Sequence, residues 1–211
     1  MSAGSGRAVL VSQRIVRDGE EIRDALDVRW TSFLAAAGLV PVPVSSGANL
    51  DDFLRAVPDV VGLLLTGGND LAVVSDDPLS RRRDDLELRL CLRFAGRPIL
   101  GVCRGAQFLA WRLGFAIEPI DGHTATRHHV TVADDSRWLS AYAGLEVASF
   151  HAFAPRGQAR DVRVAARSDD AAGTIEAIEH AIDPLLGILW HPEREAPVRA
   201  VDADLFRRFF G

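Results

Sequence analysis

A chain of 211 residues with 48% hydrophobic content is long enough to bury a full-sized core in one domain. Its 24 basic residues, all arginine, stand against 29 acidic ones, and the formal charge of −5 argues against nucleic acid as a general partner, while the lack of lysine excludes a lysine nucleophile or Schiff base. Two cysteines, Cys91 and Cys103, are too few for a disulfide framework, and no apolar run reaches the length of a membrane span, so a reducing, cytoplasmic setting without a membrane partner is expected.

Residues 1–7 read as a disordered polar tail ahead of a single domain over 8–211. From there short β-branched runs alternate with helical patterns. A strand over 8–11 precedes a helix over 24–37, a strand over 40–44 a helix over 50–56, and a strand over 60–66 a helix over 79–95. A fourth strand over 99–102 leads into a helix over 104–113. Such alternation specifies a three-layer, doubly wound α/β fold with a mostly parallel sheet, in which functional residues collect at the strand carboxyl ends. After Gly114 the pattern changes to short strands over 130–132, 145–149, 162–166 and 174–179, read as small antiparallel hairpins. A strand over 186–189 and a helix over 201–210 close the chain. The charged stretch Asp76 to Asp85 reads as a solvated helix start, with a lid or phosphate contact as its functional alternative. Cys91, on a helix with Leu88 and Leu92, reads as core.

Two segments carry chemistry. Gly101-Val102-Cys103-Arg104-Gly105 is a strand that breaks at small residues and restarts as a helix, a setting that projects a thiol above the strand end and stabilises its thiolate at a helix N-terminus. A buried core cysteine is the alternative. Trp190-His191-Pro192-Glu193 ends another apolar strand, and residues two apart on a strand share a face, so Glu193 can orient His191. Cys103, His191 and Glu193 together supply a nucleophile, a base and an orienting acid. His123, His128 and His129 near Asp121 lack a strong zinc-ligand pattern, so no metal or other cofactor is expected. They read as pocket wall, with His128 a substrate contact.

With Leu65-Thr66-Gly67-Gly68-Asn69-Asp70 upstream, these motifs stand in the order found in the class I glutamine amidotransferase superfamily, which the chain resembles from about residue 8 to its end. The fold that this implies is flavodoxin-like. The arginine after the cysteine and the Gly-Gly-Asn-Asp segment resemble the free-standing γ-glutamyl hydrolase branch. Ser12-Gln13-Arg14, Arg83-Asp84, Ser149-Phe150-His151, Thr174-Ile175-Glu176-Ala177 and His191-Pro192-Glu193-Arg194-Glu195 are similar to the bacterial γ-glutamyl-CDP-amidate hydrolases. The resemblance implies attack of Cys103 on a γ-glutamyl amide or phosphoramidate and passage through a γ-glutamyl thioester. It also implies an oxyanion hole from the backbone of Gly68 and Arg104, and substrate contacts from Gly67, Asn69, Gln107, Ser149, Phe150 and His151. The expected partner is a small γ-glutamyl compound, with a nucleotide link favoured by arginines 81 to 83 and 104. A homodimer is left open. A glutaminase subunit feeding ammonia to a separate synthase, and a catalytically silent binding module, are the competing readings.

Overall fold

The computed structural model describes residues 6–57 and 59–211. Residues 1–5 of the expected tail lie outside them, and Arg7 already opens the first strand. In chain order the elements are β1 (Arg7–Val11), β2 (Arg14–Asp18), β3 (Glu21–Ala25), α1 (Arg29–Ala36), β4 (Leu39–Pro43), α2 (Leu50–Ala56) and β5 (Val60–Leu65). Then come α3 (Pro78–Arg93), β6 (Ile99–Val102), α4 (Arg104–Arg112), β7 (Ala116–Pro119), β8 (Thr124–Val132), β9 (Glu146–Phe150) and β10 (Phe153–Arg156). The last are β11 (Val162–Ser168), β12 (Ile175–His180), β13 (Leu185–Ile188) and α5 (Ala200–Phe209).

Nine strands form one sheet in the order β4-β1-β5-β6-β13-β12-β11-β8-β9. The first five run parallel, the pairing that buried Val/Ile/Leu runs joined by helices produce. From β13 outward every pairing is antiparallel. The short strands after Gly114 therefore largely extend the main sheet, and only β7 with β10 and β2 with β3 stand apart as two-stranded ribbons. Side-chain alternation splits the core between two faces. Val9 and Val11 join Trp30, Phe33 and Phe206 on one side, under α1 and α5, while Leu10 joins Leu86, Leu90 and Phe108 on the other, under α3 and α4.

The helix expected over 24–37 starts only at Arg29, because β2 and β3 occupy 14–25 as a hairpin. Gly19, at φ 59, takes the first place of the two-residue connection between Asp18 and Glu21, a position that favours glycine. In α3, Cys91 is buried as expected, yet Leu88 and Leu92 are exposed and its core neighbours are Leu86, Leu90 and Phe94. Helix α4 lies against the sheet by backbone contact. A side chain on Gly105 would overlap the Leu65 carbonyl, and one on Gly101 would overlap the Gly105 backbone.

Candidate active site

The turn from β6 into α4 fixes Cys103. Its φ of 53 and ψ of −110 are strained for a non-glycine residue. The strain is held from both sides, since its N–H donates to the Ile188 carbonyl of β13 at 2.8 Å and its carbonyl accepts from the Gln107 N–H at 3.0 Å. The Arg104 N–H, in the first turn of α4, has no intrahelical acceptor.

His191 follows β13, anchored by its N–H to the Ala148 carbonyl of β9 at 3.1 Å. Glu193 reaches its Nδ1 at 2.6 Å, both side chains being buried. The contact comes from a single 3₁₀ turn over Pro192–Arg194 rather than from alternation along a strand, because β13 ends at Ile188. The other ring nitrogen, Nε2, has no hydrogen-bond partner. Burial disfavours the imidazolium, but the adjacent Cys103 sulfur and then Glu193 outweigh it and raise His191 to about 10. Gly67 makes the approach of the two side chains possible, since a Cβ there would sit 3.0 Å from His191 Cε1 and 3.8 Å from Cys103 Sγ.

Cys103 opens onto two lobes of one cleft, which share Arg14, Gly68 and Phe150. The larger, about 370 Å³, is lined by Asn69, Arg104, Gln107 and the segment Phe150 to Phe153. The smaller, about 210 Å³, is lined by Gly67, His191 and Glu193 together with Ala25, Asp27, Trp30 and Arg194. Gln107 is locked in the larger lobe by donation to the Phe153 carbonyl at 2.8 Å. Asn69 lines the same lobe while its amide pins the hairpin, exchanging hydrogen bonds with the Ile15 backbone at 2.9 and 2.8 Å. Ser149 and His128 reach neither lobe. Ser149 is fully buried and donates to the His123 carbonyl at 2.8 Å, and His151 borders the larger lobe with its ring turned inward.

That ring belongs to a cluster behind the cleft wall. Nitrogens of His123, His128 and His151 lie 3.1, 3.4 and 3.4 Å from Oε1 of fully buried Glu176. Burial would push the Glu176 carboxyl up, yet the three imidazoles hold it well below the ordinary carboxylate value, and Glu176 in turn raises His123. Among the described residues, His123, His128 and Glu176 are the set whose donor atoms could hold a metal ion. Glu176→Gln is expected to lower stability by about 1–3 kcal/mol, read by denaturant unfolding, since a neutral amide replaces the buried carboxylate that lies 3.1 Å from His123. A loss near zero would mean that the cluster contributes no net stability. Because its pKa is depressed on folding, the wild-type contribution persists at neutral pH and fades only in acid.

The stretch Asp76 to Asp85 is more than a solvated helix start. Asp77 caps α3 through Leu79 N–H at 2.9 Å, but Arg83 is fully buried and Asp84 nearly so. Arg83 donates to the carbonyls of Thr66, Gly67 and Gly68 at 2.6, 3.0 and 2.7 Å, and to Glu87 at 2.9 Å. Glu87 also accepts from Ser12 Oγ at 2.8 Å and pairs with Arg104, whose other nitrogen pairs with Asp84. Arg83 and Arg104 are thus committed to buried carboxylates and are unavailable to a phosphate, contrary to the expectation from charge alone. Arg82 bonds Ser46 and Arg81 lies 3.7 Å from Asp76, and neither lines the cleft.

The sequence reading did not single out Asp27, Trp30 or Arg194 as lining residues. The Asp18-Gly19 turn signal ahead of the stretch read as helical marks the hairpin that brings Arg14 and Ala25 to the cleft.

Comparison with known proteins agrees with this architecture. Over 193 residues the chain is 30% identical to the γ-glutamyl-CDP-amidate hydrolase of Campylobacter jejuni, covering 88% of this chain and 89% of that one. A glutamine amidotransferase-like protein of Lactococcus lactis is 26% identical over 196 residues, 81% of this chain and 80% of that one. The fold is that of class I glutamine amidotransferases. A GMP synthase component from Thermoplasma acidophilum superposes with a TM-score of 0.74 at 20% identity, covering 97% of this chain and 92% of that one. A Thermotoga maritima glutamine amidotransferase superposes at 0.67 and 18% identity, covering 96% and 83%. No helix among the described residues is long and apolar enough to cross a membrane. The peptidase C26 family model matches residues 13–193, and the chain belongs to that family.

Proposed function

We propose that the protein is a cysteine-dependent γ-glutamyl hydrolase. The observation that supports this reading most is the strained elbow residue Cys103 at the junction of two lobes, beside a buried His191 held by Glu193 at 2.6 Å. Cys103 sulfur attacks the γ-carbonyl carbon of a glutamyl group seated along Gln107 and Phe150 to Phe153. The oxygen takes up charge against the backbone N–H groups of Gly68 and Arg104, which need no reorganisation at that moment. His191 delivers its proton to the departing nitrogen, the C–N bond breaks, and a γ-glutamyl thioester remains. The same imidazole then takes a proton from water, which attacks the thioester and releases glutamate. Glu193 keeps Nδ1 protonated and Nε2 directed at the reaction.

A panel of γ-glutamyl amides assayed for glutamate release tests this, and no release from any member would sink it. Because the imidazolium persists to about pH 10, kcat/KM is expected to hold through neutral pH and to fall above about 10, as the proton donor is lost. In Glu193→Gln that alkaline limb should move to lower pH, since one of the influences raising His191 is gone. A limb that stays in place would separate Glu193 from the proton donor.

A further inference from the structure

Behind the wall of the larger lobe, distant segments of the chain converge on one carboxylate. Glu176 comes from β12, His128 from β8, His123 from the bend before β8, and His151 from the position after β9. Strand β11 stands between β8 and β12 in the sheet, but it pairs with β8 only at Val130 to Val132, so the half of β8 that carries His128 meets β12 through this cluster. The hydrogen bonds at its edge decide which ring atoms carry lone pairs. His123 donates from Nε2 to the Asp170 carboxylate at 2.9 Å, and His151 donates from Nδ1 to the Phe153 carbonyl at 3.1 Å. A neutral imidazole with that tautomer turns a bare nitrogen inward. The inward atoms, His123 Nδ1 and His151 Nε2, stand 3.1 and 3.4 Å from Glu176 Oε1, itself an acceptor, and His128 Nε2 stands 3.4 Å from the same oxygen. Neither oxygen of Glu176 has a hydrogen-bond partner among the described residues, nor has His128 Nε2 or His151 Nε2. His123 Nδ1 has only Ser149 Oγ, 3.5 Å away, whose hydrogen goes to the His123 carbonyl at 2.8 Å.

Acceptors facing acceptors in a buried space require either extra protons or a cation between them. Extra protons would form hydrogen bonds to Glu176, yet none of the three imidazole contacts has the alignment of one. We infer that the cluster is a divalent metal site of the zinc class, with His123, His128 and Glu176 as ligands and His151 as the adjacent fourth donor. One donor atom from each of the three ligands lies within 4.8 Å of the others. Ligand atoms about 2.0–2.1 Å from a tetrahedral zinc are roughly 3.3 Å apart, close to the 3.1 and 3.4 Å that separate these imidazoles from the carboxylate. Nitrogens combined with one carboxylate oxygen suit zinc, whereas magnesium and calcium take oxygen ligands. Asp170 supplies the carboxylate that orients a metal-bound imidazole, and it is itself fixed by Ser168 Oγ at 2.9 Å and the Gly173 N–H at 3.0 Å. Because the ligands come from distant segments, no local spacing announces them. The ion ties β8 to β12 and steadies the wall at His151, and it takes no part in the γ-glutamyl chemistry, so the inference stands apart from the hydrolase reading.

The test uses the full chain, stripped with EDTA, and the metal ions alone. The wild type is expected to take up about one equivalent of Zn²⁺ and to unfold at a higher temperature with it, since an ion that binds only the folded state stabilises it. Co²⁺ should give the visible bands of a tetrahedral site with nitrogen and oxygen ligands, and no thiolate charge-transfer band. Cys103→Ala should behave as the wild type does, which separates this site from metal caught between Cys103 and His191. His128→Ala should abolish the stoichiometric uptake. Asp170→Asn, at a side chain 38% exposed, should keep the fold and weaken Zn²⁺ binding roughly ten- to a hundredfold, as loss of an orienting carboxylate does. No uptake by the wild type would overturn the inference and leave the cluster a protonated or water-filled network. Uptake that survives both His128→Ala and Asp170→Asn, or that disappears in Cys103→Ala, would place the metal elsewhere and overturn it as well. Each readout is taken without substrate, so failure of the hydrolase reading leaves this result untouched.

Discussion

Cys103→Ala is expected to lower γ-glutamyl hydrolysis by at least about 10⁴-fold, with the fold intact. Removing the nucleophile from a nucleophile–base–acid set costs that much elsewhere, because the remaining donors stabilise charge but cannot form the covalent intermediate. Stability should change little. Cys103 is 7% exposed and its backbone hydrogen bonds to Ile188 and Gln107 do not involve the thiol. Relief of unfavourable contacts is not available either, since alanine must adopt the same φ of 53. The decisive measurement pairs kinetics with covalent labelling by a diazo-ketone analogue of glutamine. Stoichiometric labelling of the wild type and none of the variant is the expected result. Labelling that survives in Cys103→Ala, or substantial residual hydrolysis, would remove the cysteine from the mechanism.

Glu87→Ala is expected to be the most damaging substitution outside the cleft. Glu87 is fully buried and receives Ser12, Arg83 and Arg104. Although burial pushes its carboxyl upward, Arg104 and Arg83 outweigh this and hold it ionised, and burial draws Arg83 down only to about 10, so the Arg83 guanidinium remains charged at neutral pH. Taking away their shared counter-charge leaves two buried cations, of which Arg104 keeps only Asp84. Breaking such a pair costs about 3–5 kcal/mol, which for a chain of 211 residues is a fall in Tm of roughly 6–20 °C. Activity should suffer at temperatures where the variant is still folded, because Arg83 also holds the carbonyls of Gly67 and Gly68. An unfolding midpoint within about 1 °C of wild type would show that the cluster contributes no net stability.

The parts of the fold that were legible in the sequence are those with strong local periodicity. The strand and helix alternation up to α4 left its mark in apolar runs of four to six residues, and the elbow at Cys103 was marked by Gly101 and Gly105, whose missing side chains the packing of α4 requires. The β2–β3 hairpin was missed because Arg-rich, solvent-facing strands carry little periodic signal and the following α1 pattern masks their boundary. Sheet membership of the late strands depends on pairings between residues far apart, such as Ala166 with Val132, which no local pattern encodes. In the site, His191 and Glu193 were found together by their spacing, although the geometry that joins them is a turn. The roles of Arg83 and Glu87 were hidden because charge is read as exposure. In α3 they occupy positions i and i+4 of the stripe that includes Leu79, Leu86, Leu90 and Phe94, and two opposite charges inside an apolar stripe are the available sign of a buried pair.

The ribbon of β2 and β3 borders the nucleophile yet shares no strand pairing with the nine-stranded sheet. Insertions or exchanges at its tip near Gly19 therefore disturb no pairing of the nine-stranded sheet. Selectivity in this architecture is modular. The ribbon's exposed run from Arg17 to Arg23 can be rewritten while the elements that carry Cys103, His191 and Glu193 are inherited unaltered.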